Sequence, residues 1–326
     1  MKILLVNKYL YRKGGAETYF IKLGEYLKSL GNEVEYFGMA DERNCVENRV
    51  EAYTENIDFH KKSLKHITYP FKIIYSVNAR KQIRKVLSDF KPDVVHLNNF
   101  NYQLTPSIIY EIKKHNIPIV YTAHDVQLVC PNHKLKNDYT YGLCRKCDGG
   151  KYFECVKNNC VHSSKIRSIL GAVEAWYYKL RHTYKMIDLT VCPSEFMEKE
   201  ISRNDDINGR TVTMYNFIDE IKPLGAECEN YVLYFGRYSE EKGILNLVKA
   251  AKKLSNIPFV FAGKGELENE VNSADNIKNV GFKTGDELRN IIEKALFTVL
   301  PAEWSENCPF SVMESQSLMT PVLGAK

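Results

Sequence analysis

Residues 231–254 read YVLYFGRYSEEKGILNLVKAAKKL. The first five are an unbroken apolar and aromatic run, as expected of a strand buried on both faces. Charges and two glycines, Gly236 and Gly243, interrupt it, and 244–254 then repeats its apolar residues at helical spacing. A buried strand, a glycine-bearing loop and an amphipathic helix make up the repeating unit of a parallel α/β sheet.

Working outward, the alternation continues in both directions. Toward the carboxy terminus it predicts strands at 258–262, 297–300 and 321–323, with helices at 286–294 and 309–318. Toward the amino terminus it predicts strands at 2–6, 33–37, 93–97, 118–122, 188–192 and 211–215. Helices are expected there over 16–30, 76–90, 106–115 and, as one long element, 163–185. The fold class is therefore α/β with two doubly wound parallel sheets, and ligands are expected outside the carboxyl ends of the strands. A chain of 326 residues has room for two domains. The first is placed at 1–217 with a cysteine-rich insertion at 130–162, the linker at 218–229 and the second domain at 230–326. The last strand would lie at an open edge, so the second domain reads as cut short, and slow turnover is expected of it.

Charge supports the division. Residues 1–217 carry 33 Lys+Arg against 24 Asp+Glu, whereas 218–326 carry 12 against 16. A basic first half suits an anionic partner such as a phosphorylated acceptor or lipid surface. The basic residues are dispersed, so no nucleic-acid partner is expected. The opening MKILLVNKYL is too short for a signal peptide, and no apolar run approaches the roughly 18 residues of a membrane span. A cytoplasmic protein, at most peripheral to a membrane, is expected.

Three loops carry chemistry. Glu306-Asn307-Cys308-Pro309-Phe310-Ser311-Val312-Met313-Glu314 lies between a strand and a helix. Pro309 suits a first helical turn, and the amides of Phe310 and Ser311 would form an anion site. Glu306 and Glu314 could accept hydroxyls of a sugar and a ribose, or could simply be a capping and a solvated carboxylate. Gly236-Arg237 and Lys242-Gly243 place two cations five residues apart, able to converge on a diphosphate or else to remain surface charges. Gly263-Lys264-Gly265 permits close backbone approach.

In order and spacing these residues resemble the retaining GT-B glycosyltransferases of family 4, which build bacterial surface polysaccharides and lipid-linked glycans. Further motifs carry the resemblance over the whole chain: Gly14-Gly15, Lys91 to His96, Thr122-Ala123-His124-Asp125, Pro193 to Phe196 and Asn216 to Asp219. The resemblance implies that Arg237 and Lys242 hold the donor diphosphate. Glu306 would bind the transferred sugar with amides from Asn307, Cys308 and Phe310, and Glu314 the ribose. Phe282 would lie by the base, Gly14, Gly15, Gly236 and Gly263 would let backbone approach the donor, and His124 would contact the sugar near its reacting carbon. The alternative for His124 is a core histidine hydrogen-bonded at a strand end. No cofactor is implied for catalysis: the donor is a nucleoside-diphosphate sugar, and the acceptor a glycan or polyprenyl-linked glycan. A sugar-nucleotide epimerase and an inactive nucleotide-sugar-binding protein are the alternatives.

Cys144, Cys147, Cys155 and Cys160 are spaced so that thiolates could close a tetrahedral zinc site, with Cys130 or His133 in reserve. Disulfides and free thiols remain open at this stage. Their surroundings, including Asn137 and Asp138, are loop-like. The helix expected at 163–185 is basic with an apolar, aromatic side. It is expected to pack on the core, with an anionic membrane surface as the alternative.

Overall fold

The computed structural model describes residues 1–56, 69–136 and 142–325, and only the backbone of 69–71. The chain divides into two compact units, Met1–Tyr215 and Asn216–Lys326.

The first unit has strands β1 (Lys2–Val6), β2 (Glu33–Phe37), β3 (Val94–Leu97), β4 (Ile119–Thr122), β5 (Leu189–Cys192) and β6 (Thr211–Thr213). They form one parallel sheet in the order β2-β1-β3-β4-β5-β6. Its helices are α1 (Gly15–Ser29), α2 (Tyr69–Ile74), α3 (Val77–Phe90), α4 (Ser107–Lys114), α5 (Phe153–Lys157), α6 (Lys165–Leu180) and α7 (Glu195–Ile201). Because strand side chains alternate between faces, β1 feeds two cores. Leu4 and Val6 join Ile83, Val86, Leu87 and Ile108 on one side. Ile3 and Leu5 join Phe20, Ile21, Val34 and Tyr36 on the other.

Serines begin three helices by accepting a backbone amide: Ser76 for α3, Ser164 for α6 and Ser194 for α7. The single helix expected over 163–185 does not form. It ends at Leu180, and after His182, in the left-handed region at φ 48°, a 3₁₀ turn spans Thr183–Met186. The break is held by His182 Nδ1 on Asp206 Oδ1 at 2.8 Å and by the Tyr110–Thr183 hydroxyl pair. The structure adds α2, α5 and α7, each too short to show periodicity in sequence.

The second unit has β7 (Val232–Arg237), β8 (Phe259–Lys264), β9 (Ile277–Asn279), β10 (Phe297–Leu300) and β11 (Val322–Gly324), ordered β11-β10-β7-β8-β9 and again all parallel. Helices α8 (Ile244–Lys253), α9 (Glu268–Val271), α10 (Gly285–Lys294) and α11 (Phe310–Ser317) connect them. Val232 and Tyr234 pack with Ile244, Leu247, Val248 and Ala251 of α8. Leu233 and Phe235 face Ile292 and Leu318. The strand read first from the sequence is thus the centre of its sheet.

Candidate functional site

In the second unit the chain runs from β7 outward through β8 and β9, then returns to lay β10 on the opposite side of β7. This reversal opens a crevice at the carboxyl ends of β7 and β10. The loops leaving those strands, 238–243 and 301–309, meet there. Gly243 stands at φ 73°, and a Cβ on it would lie 1.8 Å from the Pro301 carbonyl oxygen, so only glycine fits. Glu303 N donates to Glu241 O at 3.0 Å, and Asn246 Nδ2 donates to Glu303 Oε1 at 2.6 Å.

With the loops joined, Lys242 Nζ donates to Glu306 Oε1 at 2.5 Å. The same oxygen accepts Trp304 Nε1 at 2.7 Å, and the ammonium lies 5.3 Å from the Trp304 ring centroid. The Lys242 and Glu306 side chains are only 23% and 15% exposed, so water screens their attraction less than it would a surface pair. Burial, and then the Glu306 charge, push the Tyr234 phenol well up, and its hydroxyl donates to Arg237 O at 2.8 Å. Arg237 itself turns its guanidinium to Glu241 Oε1 at 2.8 Å and is 61% exposed.

Helix α11 starts just beyond. Pro309 is its N-cap and has no side-chain cap hydrogen bond. Cys308 takes φ 52°, and its carbonyl accepts Asn216 Nδ2 at 2.9 Å. Glu314 lies one turn inside the helix, half-buried, and Ser315 ties the helix to β10 through Thr298 at 3.0 Å. The structure therefore joins Lys242 and Glu306 directly, with Arg237 at the end of β7 where the Lys242 loop begins.

Two glycines have structural reasons of their own. A Cβ on Gly263 would lie 1.9 Å from Gly236 O, and one on Gly265 would lie 2.2 Å from Tyr238 O. Phe282, 62% exposed, follows β9 two strands away from β7 and stacks under Lys264 Nζ at 5.0 Å. Trp304, Glu241 and Glu303 were not singled out from sequence. A tryptophan two residues before Glu306 was the available signal for the first. The other two act by folding the loops together, which no spacing reveals.

The first unit has its own reversal between β1 and β3. Asn7 Oδ1 accepts Asn99 N at 2.9 Å, and Lys8 Nζ donates to Asn101 Oδ1 at 2.7 Å. His124, two residues past β4, bonds Asn98 Oδ1 through Nε2 at 2.9 Å and meets the Tyr19 ring edge-on at 5.2 Å. Burial lowers its pKa to about 4, and that of His96 to about 4 as well. His124 is thus neutral at neutral pH, which lets one ring nitrogen accept a hydrogen bond. Gly14 is the extended N-cap of α1 at φ −164°, a conformation any residue can adopt, and its carbonyl takes Thr18 N and Oγ1, both at 3.0 Å. Gly15 opens the helix.

His133 departs from its expected reserve role. Its Nδ1 lies 3.3 Å from Asp125 Oδ2 and 3.1 Å from Asn101 Nδ2, and its ring stacks on Tyr102. The nearby Glu174 is pushed up to about 7 by burial. The cysteines did gather, and with an extra member: Cys130, Cys144, Cys147, Cys155 and Cys160 line one small cavity. All nine cysteines of the chain are thiols. Among the described residues, no three His, Cys, Asp or Glu side chains are already arranged to hold a metal ion. Asn137 and Asp138 lie outside the described residues.

Helix α6 also departs from expectation. Ser168, Ala172 and Tyr178 are buried, but Ile166, Ile169, Val173, Trp176 and Leu180 form an exposed stripe. Among the described residues no helix is long and apolar enough to cross a membrane.

Comparison with known proteins bears on this architecture. Residues 13–221 match the family model Glycosyltransferase Family 4, and residues 217–326 match Glycosyl transferases group 1. An uncharacterized 42.6 kDa protein in the cps region of Klebsiella pneumoniae is 26% identical over 330 residues, spanning 94% of this chain and 80% of that protein. Anabaena Alr3699/HepE, solved in complex with UDP, has a TM-score of 0.64 at 15% identity, covering 100% of this chain and 81% of that one. Sucrose-phosphate synthase from Thermosynechococcus elongatus has a TM-score of 0.68 at 15% identity, covering 99% and 80%. The likeness to the two solved structures is one of fold.

Proposed function

This chain belongs to the GT-B glycosyltransferases of family 4, and from that premise we propose that it moves a hexose-like sugar from a nucleoside-diphosphate donor to a glycan or lipid-linked acceptor, with retention of configuration. The observation that carries the reading is the Lys242–Glu306–Trp304 contact at the β7/β10 reversal. Both protein donors fall on Glu306 Oε1, leaving Oε2 to accept sugar hydroxyls. Lys242, only one loop from the uncapped mouth of α11, shares the diphosphate with the first-turn amides and with Arg237. That arrangement stabilises charge developing on the leaving nucleotide. Glu314 accepts the ribose hydroxyls and Phe282 flanks the base. A uridine diphosphate donor fits the complex in which the Anabaena protein was solved.

The first unit serves the acceptor, and neutral His124 offers a hydrogen bond near the reacting carbon. The exposed stripe on α6, flanked by Lys165, Arg167, Lys179 and Arg181, supports peripheral contact with an anionic membrane that presents a lipid-linked acceptor. Surface polysaccharide synthesis agrees with the cps-region relative.

The test is a thermal-shift screen of nucleoside-diphosphate sugars on the wild type and Glu314→Ala, followed by proton NMR of the product's anomeric configuration. A donor that stabilises only the wild type is expected. Equal stabilisation of both proteins would remove Glu314 from the site, free sugar formed without acceptor would favour epimerase chemistry, and an inverted product would end the retaining assignment.

A further inference from the structure

The cysteine-rich insertion crosses three separate stretches of chain and returns each of them to one cavity. Cys130 leaves the loop after β4, Cys144 and Cys147 follow beyond residue 141, and Cys155 and Cys160 flank the end of α5. Five thiols around a cavity this small need a reason. Thiol–thiol contacts are weak, and the apolar residues of the region are few.

The backbone supplies one. The amides of Asn132, Leu135 and Lys134 all point at Cys130 Sγ, and that of Cys155 points at Cys147 Sγ. A neutral thiol is a poor acceptor and cannot use three amide donors, whereas a thiolate can. As a thiol, Cys130 donates to Asn132 Oδ1 at 2.8 Å, and a sulfur that used all three amides would be a thiolate in need of a counter-charge. A divalent cation supplies it, since metal binding displaces the thiol protons and pulls the sulfurs together.

We propose that Cys130, Cys144, Cys147 and Cys160 bind one zinc ion that closes the insertion onto the first unit. Cys155 is the fifth thiol and acts as a positioning residue. It is 1% exposed, its thiol hydrogen-bonds Cys160, and its amide serves Cys147. His133 is not a ligand, because Asp125, Asn101 and Tyr102 already hold its ring. The thiols seen around the cavity close to the Zn–S distance of about 2.3 Å only on losing their protons. Binding releases up to four protons to water and leaves a site of charge −2, beside which Arg145 and Lys136 line the same cavity. The ion's place is structural: the loop it closes carries His133 to Asp125.

The full chain, purified under reducing conditions, should contain about one zinc per molecule by plasma mass spectrometry. The metal should persist in Cys45→Ser and Cys228→Ser, whose exposed cysteines lie elsewhere, and in Cys155→Ala. Serine at 130, 144, 147 or 160 should weaken zinc binding by about tenfold or more in competition with a chromophoric chelator. Should these variants fail to fold, cobalt(II) exchanged into the wild type should give the thiolate-to-metal absorption and visible bands of a tetrahedral sulfur site. A wild type that takes up no zinc on dialysis, or that holds iron with sulfide or disulfides instead, overturns the proposal. So does loss of zinc from Cys155→Ala equal to that from Cys147→Ser, or cobalt spectra without sulfur bands.

Discussion

The two reversals of the two sheets are alike in topology and different in electrostatics. At the β1/β3 reversal of the first unit, asparagine side chains bond a backbone amide, the Lys8 ammonium and His124, and burial holds His96 and His124 neutral. At the β7/β10 reversal of the second unit, an ammonium and a carboxylate meet under an indole, and a guanidinium and a carboxylate pair beside them. Parallel strands winding both ways open a crevice in each case, and the side chains in the loops decide what it can receive. Amides and neutral imidazoles suit hydroxyl-bearing ligands. Paired charges suit an anion that can replace one partner.

The sharpest break of this comparison is Lys242→Ala. It removes the cation that Glu306 holds and that we propose binds the donor diphosphate, and kcat/KM for donor turnover should fall by about 10²–10³-fold, read by nucleotide release. Activity near that of the wild type would show that the pair is only structural. Gly243→Ala attacks the same crevice through its backbone. A positive φ and a Cβ driven into Pro301 O should cost about 2–4 kcal/mol of second-unit stability, measured by urea denaturation.

A pH titration tests the first unit. The folded pKa of His96 and of His124, about 4, lies below the ordinary 6.5. Protons therefore bind the unfolded chain first. Stability is complete above pH 6.5 and declines as pH falls from about 6.5 to about 4, by up to about 1.4 kcal/mol per pH unit for each imidazole. Denaturation midpoints across that range check the slope, and His96→Gln should flatten it. The smallest effect on stability is expected from Ile166→Ser with Leu180→Ser on the exposed face of α6, within about 0.5 kcal/mol. The same pair should reduce sedimentation with vesicles containing anionic lipid. A large loss of stability would mean that the stripe is covered.

How much could be read from sequence follows the same division. The central strands were legible because five-residue apolar runs between glycines admit few other structures. The lengths of α3, α8 and α10 came from apolar spacing to within a residue or two. The break at His182 was not legible, since its causes, Asp206 and Tyr110, lie far away in the chain. Lys242 and Glu306 were visible as residues, but with separate tasks, the one on the diphosphate and the other on the sugar. Their pairing depends on Gly243 passing over Pro301, a contact between loops 58 residues apart by numbering.

The sequence alone determined that this is a chain of two parallel α/β sheets with charged, glycine-bearing loops at the strand ends of the second, because hydrophobic periodicity and glycine placement act locally. Only the tertiary structure decided which charges touch, that His133 leaves the cysteines for Asp125 while Cys130 joins them, and that α6 turns its apolar stripe outward. Those outcomes depend on burial and on distances across the sheet, and periodicity along the chain carries no information about either.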